Sequence, residues 1–114
     1  MPEYIYKIAT KAQWDEALET GVFTGAPIDL SDGYIHFSTA GQAKDTAAKH
    51  FHGQTNLKLV TVATSALGET LKWEVSRGGD LFPHLYANLK TDDALSVVDL
   101  VEDETGGHIF PETF

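Results

Sequence analysis

The octapeptide "DGYIHFST" (32–39) places a phenol, an imidazole and a hydroxyl at alternate positions. Side chains alternate along a strand, so Tyr34, His36 and Ser38 share one face, while Ile35 and Phe37 take the other. Buried polar atoms each require a partner, so a face made only for packing would use apolar residues. A partly wet cleft is therefore expected beside it. "FPHLY" repeats the pattern, with Phe82, His84 and Tyr86 alternating as ring, imidazole and ring. Imidazole titrates near neutrality, so two histidines in one cleft would suit acid–base chemistry. In "LKWEV", Glu74 falls on the face opposite Trp73 and Val75. There a carboxylate can orient an imidazole or stabilise developing positive charge. His36, His84 and Glu74 are thus the candidate catalytic groups. Lys7, Tyr34, Ser38, Thr39, Trp73, Phe82 and Tyr86 are the candidate ligand contacts.

The elements that must position these residues are legible in part. "YIYKIA" (4–9) has strand composition. Thr10 with Gln13 forms a capping box, Trp14, Ala17 and Leu18 supply a helical apolar face, and Gly21 is the stop. The unit then recurs: strand "GYIHFS", capping box Thr39 with Gln42, apolar stripe Ala43, Ala47 and Phe51, stop Gly53. "KIATKAQ" (7–13) and "HFSTAGQ" (36–42) share one frame, which puts Lys7 and His36 at equivalent places three residues before a helix N-cap. Such places favour anions. Residues 23–33 read as a long loop, either a cover for a site or a surface excursion. Strands follow at 57–64, 70–75 and 95–102, with an extended segment at 82–89. The tail 103–114 reads as an irregular wrap that Ile109 and Phe110 can pin. Two short early helices and several late strands make an α+β fold with a mainly antiparallel sheet.

Bulk properties narrow the function. A chain of 114 residues fits one domain, 1–114. Its net charge of −9, with 8 Lys+Arg against 17 Asp+Glu and no basic cluster, argues against a nucleic-acid partner, since such binding draws on phosphate neutralisation. An anionic small molecule stays open, because a local pocket can be positive. The absence of cysteine rules out disulfides and thiolate zinc sites. His50 and His52 stand two apart on a helix and cannot chelate as an i, i+4 pair, so no metal is expected. No run of about 20 apolar residues occurs, and the start carries no secretory pattern, so a cytoplasmic location without a membrane partner is the default expectation. No phosphate-loop, dinucleotide or nucleophile-elbow motif is present.

Residues 4 to about 101 resemble a bacterial family known as domain-of-unknown-function family 952, through "YKIATKAQWDEALETGVF", "DGYIHFSTAGQ", "KWE" and "FPHLYANL" in that order. That family is similar in turn to the ADP-ribosyltransferase-like fold, a split β-sheet that includes the RNA 2′-phosphotransferases. The resemblance implies a nucleotide-like or NAD-derived ligand, NAD as the candidate cofactor, and ligand contacts at His36 and Ser38. It further implies an ADP-ribosyl or phosphoryl transferase-like activity or a glycohydrolase, with Glu74 stabilising a ribose cation. Lys7 stands where that fold's first motif often has His or Arg. Two other readings are open. One is a two-histidine phosphoesterase, for which "HFS" fits His-x-Ser/Thr while "HLY" has Tyr at the second hydroxyl position. The other is a non-catalytic interaction or regulatory domain.

Overall fold

The computed structural model describes residues 2–111, apart from the side chain of Arg77. β1 (Tyr4–Thr10) leads into α1 (Lys11–Thr20) and β2 (Val22–Phe23). α2 (Pro27–Asp32), β3 (Ile35–His36) and α3 (Ala40–His50) follow. The second half is strand-rich: β4 (Leu57–Ala63), β5 (Leu71–Val75), β6 (Leu81–Leu85), β7 (Leu89–Lys90), β8 (Ala94–Glu102) and β9 (His108–Ile109). The fold is α+β, and every strand pairing among the described residues is antiparallel.

The strands form a four-stranded sheet, β1-β4-β8-β9, a three-stranded sheet, β3-β6-β5, and the small pair β2-β7. Among the described residues one isolated bridge links the two larger sheets. Tyr6 N–H donates to Ser38 O and Ser38 N–H to Tyr6 O, both at 2.8 Å. β1 is buried along most of its length and feeds two cores. Ile5 and Ala9 join Trp14, Phe37, Val60 and Leu85 in the larger one. Tyr6 and Ile8 join Ala47, Leu57 and Leu100 in the smaller. Lys7 lies on the Ile5–Ala9 face by strand alternation, so a cation enters an apolar neighbourhood.

Both expected capping boxes are formed, Thr10 with Gln13 and Thr39 with Gln42, and Gly21 stops α1 in the left-handed conformation at φ 87°. Four expectations need correction. Three α-helices precede the late strands, not two: residues 23–33 hold β2 and α2. Pro27 presets the first helical φ, and the Asp29 carboxylate accepts the Ala26 N–H at 2.7 Å where alanine offers no cap of its own. Gly25 permits that closure, because a Cβ there would stand 2.8 Å from the Asp29 Cβ. α3 ends with Phe51 as its C-cap, two residues before Gly53, since Phe51 turns to pack on the smaller core. Leu18 and Val75 are exposed, leaving Trp14 with Ala17, and Trp73, as the residues on the larger core. The tail adds a strand: β9 pairs with Val101 and Glu102 of β8, and Phe110 packs on the smaller core while Ile109 is exposed. Residues 112–114 of the expected wrap lie outside the described residues. Among the described residues no helix is long and apolar enough to cross a membrane.

Thr39, a candidate ligand contact in the sequence, spends its hydroxyl on the Gln42 N–H. Thr39→Ala is therefore expected to cost about 1 kcal/mol in urea unfolding with an unchanged m-value, as loss of an N-cap does.

Candidate functional site

The site begins with strand register. In the pairing of β3 with β6, His36 stands directly opposite His84. Residues opposite one another share a face, so the polar faces of "YIHFS" and "FPHLY" become one surface. The two imidazole rings lie 5.5 Å apart, edge to face. Tyr34 completes the cluster. Its ring stacks on His84 at 4.1 Å and lies 4.6 Å from His36 and 5.2 Å from Tyr86.

Each imidazole leans on a carboxylate through Nδ1. For His84 the partner is Glu74 Oε1 at 2.9 Å. Glu74 comes from β5, where Lys72 is the residue opposite His84, so Glu74 reaches it diagonally on the same face. The same carboxylate oxygen accepts the Tyr86 hydroxyl at 2.7 Å. Those two hydrogen bonds, Tyr86 first and His84 second, hold the Glu74 carboxyl below its ordinary value. In return the Tyr86 phenol is pushed up to about 12, chiefly by that hydrogen bond. Burial raises the Tyr34 phenol, with help from the charges of Asp32 and Glu74.

For His36 the partner is Asp29, whose Oδ1 lies 2.6 Å from Nδ1. Asp32 approaches the other ring nitrogen at 2.9 Å. Asp29 is only 2% exposed and gathers donors from three segments. Lys7 Nζ donates to its two oxygens at 3.1 and 2.9 Å, and the backbone N–H groups of Ala26 and His36 complete the set. Burial alone would raise the Asp29 carboxyl. The hydrogen bond from His36, the charge and hydrogen bond of Lys7, and the Ala26 N–H outweigh it and bring the carboxyl down to about 2. Burial is also the larger influence on Lys7 and pushes its ammonium below the ordinary lysine value, which Asp29 only partly restores. The sequence reading missed Asp29. Its signal was the "GAPID" stretch, where Pro at the first helical turn and Asp two residues later mark a helix start.

A cavity of about 450 Å³ takes its wall from β1 of one sheet and from the β3 and β6 segments of the other, with the bridged residues Tyr6 and Ser38 among its lining. Of the candidate residues, Lys7, His36, Ser38, Phe82 and His84 line it. Thr10 and Gln13 of the first capping unit, Thr46 and His50 of α3, and Ala26 to Ile28 at the start of α2 complete much of the wall. The Ser38 hydroxyl pairs with that of Thr46 at 3.0 Å. Glu74 stands behind His84 and outside this wall, while Tyr34 and Tyr86 line a separate, smaller hollow of about 300 Å³. Trp73 packs against the larger core, with its indole N–H buried and unpaired. Thr39 serves as a helix cap. His50, noted in the sequence for its helix end, is among the lining residues that periodicity alone did not assign to a site.

A family model described as a protein of unknown function, DUF952, matches residues 8–97. Among solved structures, the chain is similar to the crystal structure of protein CC0527 from Caulobacter crescentus, at 49% identity and TM-score 0.91 over 93% of each chain. A double mutant of that protein gives 48% identity and TM-score 0.90 over the same shares. Its solution NMR structure gives 50% identity and TM-score 0.83 over 91% of this chain and 90% of that one. No curated protein matches.

The depressed Asp29 carboxyl is linked to stability. Its contribution is fully present above the ordinary carboxylate range and is lost as pH falls through about 2. Wild type should lose roughly 2 kcal/mol from this group between about pH 4 and pH 2. Asp29→Asn should abolish that component. At neutral pH it should cost about 3–5 kcal/mol, because Lys7 is left as a buried, unpaired cation. Urea unfolding of both proteins across this pH range checks each figure.

Proposed function

The chain belongs to the DUF952 family, whose description assigns no activity, and from the cavity itself we propose that the protein binds a phosphate-bearing, nucleotide-like small molecule. One observation carries the reading. In a protein of net charge −9, the lysine and histidine side chains lining the cavity are Lys7, His36, His50 and His84, and no carboxylate among the described residues lines it. None of their acidic partners, Asp29, Asp32 and Glu74, lines the cavity. An anion entering the cavity therefore meets donors first.

Size and lining support the class of ligand. About 450 Å³ lies within the range of small-molecule sites and suits a mononucleotide or part of a dinucleotide. Tyr6, Phe37, Phe51 and Phe82 give the wall flat apolar surfaces against which a base can lie. The hydroxyls of Ser38 and Thr46 supply polar fixing points. The resemblance to the ADP-ribosyltransferase-like fold extends the proposal to NAD-derived ligands. Within it, Glu74 acts on the ligand through His84 and not by direct contact with a ribose.

Amide-shift titration of the protein with AMP, ADP, NAD and inorganic phosphate, against adenosine, tests this. The phosphate-bearing compounds should move the amides of 36–38 and 82–84, and their affinity should fall as salt is raised. Adenosine should bind at least about tenfold more weakly, a difference of roughly 1.4 kcal/mol. Equal responses to adenosine and AMP, or none near these residues, would overturn the proposal.

A further inference from the structure

Resting on that ligand reading, we infer that His36 and His84 form an acid–base pair for cleaving a phosphate ester in the cavity, with His84 the base and His36 the acid. The hydrogen-bond demands of the two rings differ, and that difference assigns the roles. An ionised carboxylate only accepts hydrogen bonds. His36 has a carboxylate oxygen at each ring nitrogen, Asp29 at 2.6 Å and Asp32 at 2.9 Å, and a donor at each nitrogen is the arrangement that satisfies both contacts. His84 has one carboxylate, Glu74 at Nδ1, which holds the proton there and leaves Nε2 with a lone pair.

That Nε2 is buried and has no partner, on a residue that is 2% exposed and lines the cavity. An acceptor buried without a donor is unfavourable for a fold. On a residue that lines the cavity, such an acceptor would be satisfied by a donor from the ligand or its attacking water once admitted to the ring edge. The ring is also held against drift. Tyr34 stacks on it at 4.1 Å, and Tyr86 steadies the Glu74 carboxylate that fixes its tautomer. Asp32, unlike Asp29, is well exposed, so a ligand oxygen can displace it from the His36 Nε2 without uncovering a buried charge.

A water O–H bond breaks, its proton passes to His84 Nε2, and the oxygen keeps the electron pair and forms a bond to phosphorus. The ester P–O bond breaks, its electron pair goes to the leaving oxygen, and that oxygen takes the proton from His36 Nε2. The products are an alcohol and a phosphate. His84 then returns its proton to solvent and His36 regains one, restoring both rings. Glu74 is a positioning residue, since it acts through His84.

The experiment uses the full chain with p-nitrophenyl phosphate, bis-p-nitrophenyl phosphate and a 2′,3′-cyclic mononucleotide, following product release and, in parallel, amide shifts on binding. Turnover of at least one probe is expected, falling about a hundredfold or more in His84→Gln and in His36→Gln. Glu74→Gln sits on a half-exposed side chain and keeps the fold, so it is the control for any loss of structure in the histidine variants. It should lower kcat with KM unchanged. Binding without turnover would overturn the acid–base pair and leave the ligand reading standing, whereas absence of binding would overturn both. Turnover that survives in His84→Gln would overturn the assignment of the base.

Discussion

A single buried carboxylate organises the site half of this molecule. Asp29 draws together the Lys7 ammonium of β1, the His36 ring and backbone of β3, and the N–H of Ala26 at the start of α2. Removing ions from water is expensive, and a pair is tolerated only where geometry and further hydrogen bonds satisfy both partners. Here the Asp29 carboxylate has donors on both oxygens. The arrangement specifies position more than it adds stability: β1, α2 and β3 come from three parts of the chain, and each must stand where its donor reaches Asp29. α2 has little apolar burial to hold it otherwise, since its Ile28 and Leu30 are exposed.

The aromatic and imidazole cluster is the complementary device. His84 is almost fully buried, yet its polar edge is met by Glu74 and its face by Tyr34. The carboxylates that partner these groups do not line the cavity, so its wall presents lysine and histidine side chains that the overall charge of −9 does not suggest. Net charge describes the solvated surface. The field within a cavity is set by which member of each pair stands in front. In this protein the lysine and the histidines stand in front.

Both capping boxes, the left-handed stop at Gly21, the strands β1, β4, β5 and β8, and the antiparallel α+β character were legible from periodicity and cap chemistry. α2 was not. Its six residues are too few to show a helical period, and the residue that closes its first turn, Asp29, does so while serving two distant partners. The early end of α3 at Phe51 was hidden because a glycine two residues later offered the more familiar stop. β9 was hidden for a related reason: a two-residue strand has no alternation to read, and only β8 beside it makes it one.

The sequence by itself determined which side chains share a face: Tyr34 with His36 on one segment, Phe82 with His84 on another, and Glu74 opposite Trp73. Backbone alternation is a local property, so it survives without knowledge of the fold. Only the tertiary structure decided that these faces are the same face, because strand register depends on contacts between residues some fifty positions apart. It also decided that the lysine beneath them has a carboxylate to meet. Local geometry orients a side chain; only the packing of distant segments supplies its partner.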